Sequence, residues 1–102
     1  MKIEQIEAEF GGKGIKRGEL LLLPSEVAIE LVHRCKEENL KILGIDGFFI
    51  NDDITQPLME HSIDLTNESI EKRLTLFDSY KIAEIFLNKR IDSTLFFEII
   101  ID

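Results

Sequence analysis

The chain has one cysteine, Cys35, no tryptophan and only two prolines among its 102 residues. A lone cysteine excludes an intramolecular disulfide, so nothing covalent staples the fold. Long apolar runs are missing too. The longest candidates, "LLLLP" and "LFFEIIID", are strand-sized, far short of the ~20 residues that span a bilayer. The N-terminal stretch "MKIEQIEAEF" lacks the charged segment followed by an apolar one that marks a secretory leader. These absences predict a cytoplasmic protein with no membrane partner. Basic residues are scarce as well, 12 against 20 acidic ones, for a formal net charge of −8. A field of that sign repels phosphate backbones, which disfavours direct nucleic-acid binding, and it attracts basic protein surfaces instead.

What the chain does have is apolar content, 44% of its residues. A chain of this length buries roughly 60–70% of its unfolded surface, so residues 1–102 read as a single domain with its own core. In "PSEVAIELVHRCKEENLK", Val27, Ala28, Leu31, Val32 and Cys35 fall on one helical stripe. Pro24 and Ser25 suit its start, and Asn39 suits its stop. On that stripe Cys35 reads as a core residue rather than a nucleophile. Apolar runs on either side, Glu19 to Leu23 and Leu40 to Ile50, read as strands joined by a helical crossover and therefore parallel. A second helix is predicted in "DSYKIAEIFLNKR", capped by Asp78 or Ser79, and a shorter one before it with Ile70 and Leu74 inward. "STLFFEIIID" carries the strongest strand signal, with Leu95, Phe97, Ile99 and Ile101 on one face. The N-terminal segment alternates at Ile6, Ala8 and Phe10 and leans to strand, while Asn51 to Thr66 reads as a long polar connection. The expected architecture is α+β, a mixed sheet of three to five strands packed against two or three helices.

Motifs with catalytic meaning are thin. "GGKGIKRG" matches neither the dinucleotide nor the P-loop glycine spacing and reads as a solvated turn. In "ILGIDGFFINDD", Asp46, Asn51, Asp52 and Asp53 are oxygen donors, but apolar Phe48, Phe49 and Ile50 fill the space an EF-hand needs for ligands. Asp46 reads as a structural aspartate at a strand end, bonded to turn amides beside Gly44 and Gly47. His33 and Cys35, two apart on a helix, point in different directions and do not make a metal pair. No G-x-S-x-G elbow occurs, and acid–base chemistry in "MEHSID" has nothing to distinguish it. The expectation is therefore a protein with no catalytic residues, no metal and no cofactor.

An interaction surface is better supported. Asp52, Asp53, Glu60, His61, Asp64, Glu68 and Glu71 fall in one polar region after the strand that ends near Phe49. Carboxylates there would pair with lysines and arginines of a basic protein, with Phe49 as an apolar anchor if it is exposed. The order of "PSEVAIELVHRCKEENLKILGIDGF", a polar middle, a late helix and a terminal "LFFEIIID" resembles small bacterial immunity proteins. These are the CdiI-type inhibitors of contact-dependent and polymorphic toxins. The resemblance implies a non-catalytic protein that blocks one cognate toxin domain, expected to be basic and a nuclease. The alternatives are a cytoplasmic adaptor or regulatory protein, and a small hydrolase or ligand-binding domain.

Overall fold

A computed structural model describes residues 2–66 and 75–102. Along the chain it places α1 (Lys2–Phe10), a 3-10 turn (Gly11–Lys13), β1 (Ile15–Arg17), β2 (Leu20–Pro24) and α2 (Ser25–Glu37). These are followed by β3 (Ile42–Asn51), β4 (Ile54–Asp64), α3 (Leu76–Asn88) and β5 (Leu95–Ile101). The short helix expected around Ile70 and Leu74 lies outside the described residues, as do Glu68 and Glu71. No helix among the described residues is long and apolar enough to cross a membrane.

The five strands form one sheet in the order β1-β2-β5-β3-β4, and each neighbouring pair is antiparallel. The mixed sheet expected from the sequence is thus corrected to an antiparallel one. The physical reason lies in β5. β2 and β3 do run in the same direction, as a helical crossover requires, but β5 inserts between them and pairs with both. The result is a split β-α-β unit.

The N-terminal segment is a helix rather than a strand. Ile6 and Phe10, four residues apart, are both buried, whereas Ala8, which alternation would place inside, is exposed. The i, i+4 spacing wins because this segment packs against α2 and not along a sheet edge. α2 buries Ala28, Leu31, Val32 and Cys35, as its stripe predicts. Its stop is a left-handed Asn39 with φ of 57°. Ser25, however, is no cap: its buried hydroxyl donates to the Arg90 carbonyl oxygen at 2.6 Å. α3 is capped by Thr75 instead of Asp78 or Ser79. The Thr75 hydroxyl accepts from the Asp78 N–H and the Asp78 carboxylate accepts from the Thr75 N–H, a reciprocal capping box.

The three described helices pack on one face of the sheet. Ile6, Phe10, Leu31, Val32, Phe86, Leu87, Ile45, Leu95 and Phe97 belong to a single core, in which Phe86 meets Phe97 edge-on with ring centroids 6.3 Å apart. Tyr80 closes this core at the end of α2, its hydroxyl donating to the Leu40 carbonyl at 2.7 Å. Leu22 and Phe48 are also buried but stand outside that core, on the opposite face. They are shielded there because the sheet curls. A flat sheet would hold its outermost strands about 19 Å apart. Yet Arg17 of β1 reaches across to the β3–β4 hairpin, donating Nε–H to Thr55 Oγ1 at 3.1 Å and an Nη2 hydrogen to the Asp52 carbonyl at 3.0 Å.

Candidate interaction surface

β3 and β4 are joined by a two-residue turn, Asp52–Asp53, in which Asp52 adopts a positive φ of 50°. Aspartate tolerates that conformation better than most residues because its short side chain can bond locally. The stretch expected to be a polar connection is therefore mostly strand. Its apolar residues do not alternate because β4 lies at the sheet edge and is interrupted. Between the pairs Gly47↔Leu58 and Ile45↔Ile63, β3 advances two residues while β4 advances five. Met59 to Ser62 bulge away from the ladder as a result.

This bulge is built tightly. The Ser62 hydroxyl fills the gap in the ladder, accepting from Gly47 N–H at 3.1 Å and donating to the Leu58 carbonyl at 2.8 Å. Gly47 lies directly beneath it. A Cβ added there would overlap the His61 carbonyl and come within 2.7 Å of His61 Cβ. From the other side Arg90 donates Nε–H to His61 Nδ1 at 3.2 Å and an Nη2 hydrogen to the Glu60 carbonyl at 3.4 Å. Arg90 is itself held, by a bond from Nη1 to the Phe86 carbonyl at 3.1 Å and by stacking 3.8 Å over the Phe86 ring. Met59 is consequently presented at 86% exposure on a supported loop, and Ile54 stands 61% exposed beside the acidic turn.

No family model and no curated protein matches the chain. What the surface can do follows from its charge, shape and support. Asp52, Asp53 and Glu60 are exposed, and among the described residues their carboxylates make no ion pair or hydrogen bond. Asp64 sits at the far end of β4, where its carboxylate accepts from the Thr66 N–H at 2.9 Å. From Asn51 to Gly44 the partner strand runs roughly 23 Å, so the predicted carboxylates form a line along one edge and not a single cluster. His61 is half-buried, and Phe49, paired with Gln56 and Leu95, is half-buried within the strand. Among the described residues the most exposed apolar side chains are Ile54 and Met59, which the sequence reading passed over. Their signal was there: two apolar residues in a polar segment without alternation, on either side of Pro57. Pro57 has no N–H to offer an additional strand, so it also blunts this edge.

Asp46 is not at a strand end. It lies mid-strand in β3, half-buried and directly opposite Glu98 of β5. Like charges facing each other across a ladder repel. Burial, then Asp46, then Glu7 raise the Glu98 carboxyl above the usual glutamate range. The folded state therefore holds the Glu98 proton more tightly than the unfolded chain. Its contribution to stability falls as pH rises from the ordinary glutamate range through the raised folded value. Glu98→Gln is expected to be more stable than wild type at pH 7, with the gap narrowing towards pH 4. Urea midpoints at the two pH values measure this directly, and a gap that widens on acidification would contradict it.

Other nucleophile and ligand candidates stand apart. Cys35 is fully buried, and burial pushes its thiol up to about 12, so it carries no thiolate at neutral pH. His33 faces Glu84 of α3 at 3.2 Å, an exposed cross-helix contact. Among the described residues no group of three or more His, Cys, Asp or Glu side chains is arranged to hold a metal ion.

Proposed function

We propose that this domain is an immunity protein, a non-catalytic inhibitor acting in the cytoplasm. It neutralises a cognate bacterial toxin domain, a basic nuclease, by laying the acidic β3–β4 edge over the toxin's active site. The observation that carries this reading is the pairing of charge left unpartnered among the described residues with fixed backbone. Asp52, Asp53 and Glu60 present carboxylates to solvent, while Arg17 and Arg90 hold the turn and the bulge that carry them. Carboxylates so placed occupy the positions that substrate phosphates take in a basic cleft. Met59 and Ile54 supply apolar contact between them, the role first given to Phe49. A surface already ordered before binding gives up little conformational entropy on association. The net charge of −8 adds long-range steering.

The test is capture from the native host on immobilised wild-type protein, washed over a salt series, against the double variant Asp52→Lys, Asp53→Lys. A stoichiometric basic toxin domain is expected, with association slowed about tenfold by the double variant at low salt. Equal association rates for the two proteins would move the interface off this edge. A partner without toxic activity would make the domain an adaptor, and capture of none would return attention to small-molecule binding.

A further inference from the structure

β2 and β5 part soon after they meet. They pair only at Leu23↔Phe97 and Pro24↔Phe96, although β5 continues along β3 to Ile101 and β2 runs along β1 from Leu20 to Leu22. Leu20 to Leu22 and Glu98 to Ile101 therefore belong to a ladder on one side only. The opening between the two strands is a cavity of about 70 Å³, bounded also by α1 and α2. Leu23 and Leu31, both buried, form its base, and Leu21, Ile99 and Ile101 add half-buried apolar walls. Charge surrounds this apolar hole. Glu7, Lys16 and Glu19 are exposed at its rim and Glu98 is half-buried beside them. Three carboxylates thus stand against one ammonium group, and among the described residues none of the four makes an ion pair or side-chain hydrogen bond. Burial, then Asp46 across the ladder, then Glu7 hold the Glu98 carboxyl above its usual range. An incoming cation would relieve that repulsion.

We propose that this cavity binds an unbranched primary alkylammonium, its chain against Leu21, Leu23, Leu31 and Ile99 and its head among the carboxylates of Glu7, Glu19 and Glu98. Volume selects the chain. A cavity of about 150 Å³ holds a benzene ring, so one of half that volume excludes rings and admits a few methylenes in single file. Charge selects the head. Ionised carboxylates only accept hydrogen bonds, and a primary ammonium brings three donors on a compact centre, whereas a guanidinium is planar and wider. The site lies on the seam between β2 and β5, away from the β3–β4 edge proposed to face a toxin. It goes beyond that reading, and either can fail without the other.

The test is carbon-13 methyl NMR of the whole domain at pH 7, titrated with ethyl-, propyl- and n-butylammonium chloride. Saturable shifts should be confined to the methyls of Leu21, Leu23, Leu31, Ile99 and Ile101. Each added methylene should tighten binding about fourfold. n-Butanol has the chain without the charge, and tetramethylammonium has the charge without chain or N–H. Each should bind at least about tenfold more weakly than n-butylammonium. Glu98→Gln and Glu19→Gln should each weaken n-butylammonium about fivefold, while Lys16→Ala, which removes the competing cation, should tighten it about threefold. Glu98→Gln is expected to be the more stable protein at this pH, so a loss there is not a loss of folding. Saturating n-butylammonium should also draw the titration of Glu98, read at its carboxyl carbon, down towards the usual glutamate range. No saturable shift with any of the amines would overturn the proposal. So would n-butanol binding as tightly as n-butylammonium, or affinity unchanged in both glutamine variants. The peptide acetyl-Gly-Lys-Gly-amide separates two sources of the same chemistry. Binding as tight as n-butylammonium would make the ligand a lysine side chain of another protein, and no binding beside a positive n-butylammonium titration would make it a free amine.

Discussion

Gly47→Ala should lower the melting temperature by about 15 °C. The added methyl has no free direction, because it meets the His61 carbonyl and Cβ, and both belong to a bulge pinned from the opposite side by Arg90. Backbone cannot yield as a side-chain tip can. The bulge must therefore lift, breaking the Gly47 N–H to Ser62 bond and exposing the ladder beneath. Overpacking of this kind combined with a lost hydrogen bond costs roughly 3 kcal/mol, which corresponds to about 12–24 °C for a domain of this size. Gly12→Ala is the control: a Cβ there meets nothing within 4 Å, and its melting temperature should match wild type within a few degrees. Thermal unfolding followed by circular dichroism separates the two. A Gly47→Ala domain as stable as the Gly12→Ala control would mean that the bulge is not seated on β3.

Phe97→Ala should cost more, about 3–5 kcal/mol, and should do so everywhere at once. Phe97 is fully buried on the central strand β5, opposite Gly47 on one side and Leu23 on the other, with its ring against Phe86 of α3. Removing it opens a cavity that neither sheet nor helices can close, because the surrounding residues are tied into two different ladders. With total stabilities of 5–15 kcal/mol for small domains, this variant would retain little margin at 37 °C. Urea unfolding should show a midpoint reduced by roughly a third to a half with an unchanged slope. A change in slope instead would point to an altered unfolded or native ensemble. The two variants also differ in reach. Hydrogen exchange should accelerate first along β4 in Gly47→Ala, but throughout the core in Phe97→Ala.

Local signals made much of the architecture legible. α2 was readable because its stripe and its Asn39 stop agree, and β5 because β-branched and aromatic residues run through it without interruption. Pairing was harder to read. The direction of β2 relative to β3 followed from the connecting helix, but no property of either strand announces that β5 will pass between them, since its partners lie about 50 to 75 residues away. α1 was misjudged because Ile3, Ile6, Ala8 and Phe10 satisfy two periods at once, and only contact with α2 decides between them. β4 was hidden by its own bulge, which throws Met59 and His61 out of phase with Ile54 and Leu58. At the candidate surface, the carboxylates were visible as composition. The arginines that hold the backbone beneath them were not, because Arg17 and Arg90 act from positions about 30 to 40 residues away.

The insertion of β5 between β2 and β3 also bears on how the molecule comes into being. Before residues 95–101 leave the ribosome, the nascent chain owns two separate hairpins, β1–β2 and β3–β4, with no ladder between them. Isolated hairpins are at best marginally stable in water, so the earlier strands wait, unsheltered, for β5. The pairings β5 then forms, with Leu23 and Pro24 early in the chain, are among its longest-range, and such contacts slow folding. β5 thus follows in sequence the strands it joins into one sheet, and a translation product cut off before Leu95 would be a substrate for proteolysis.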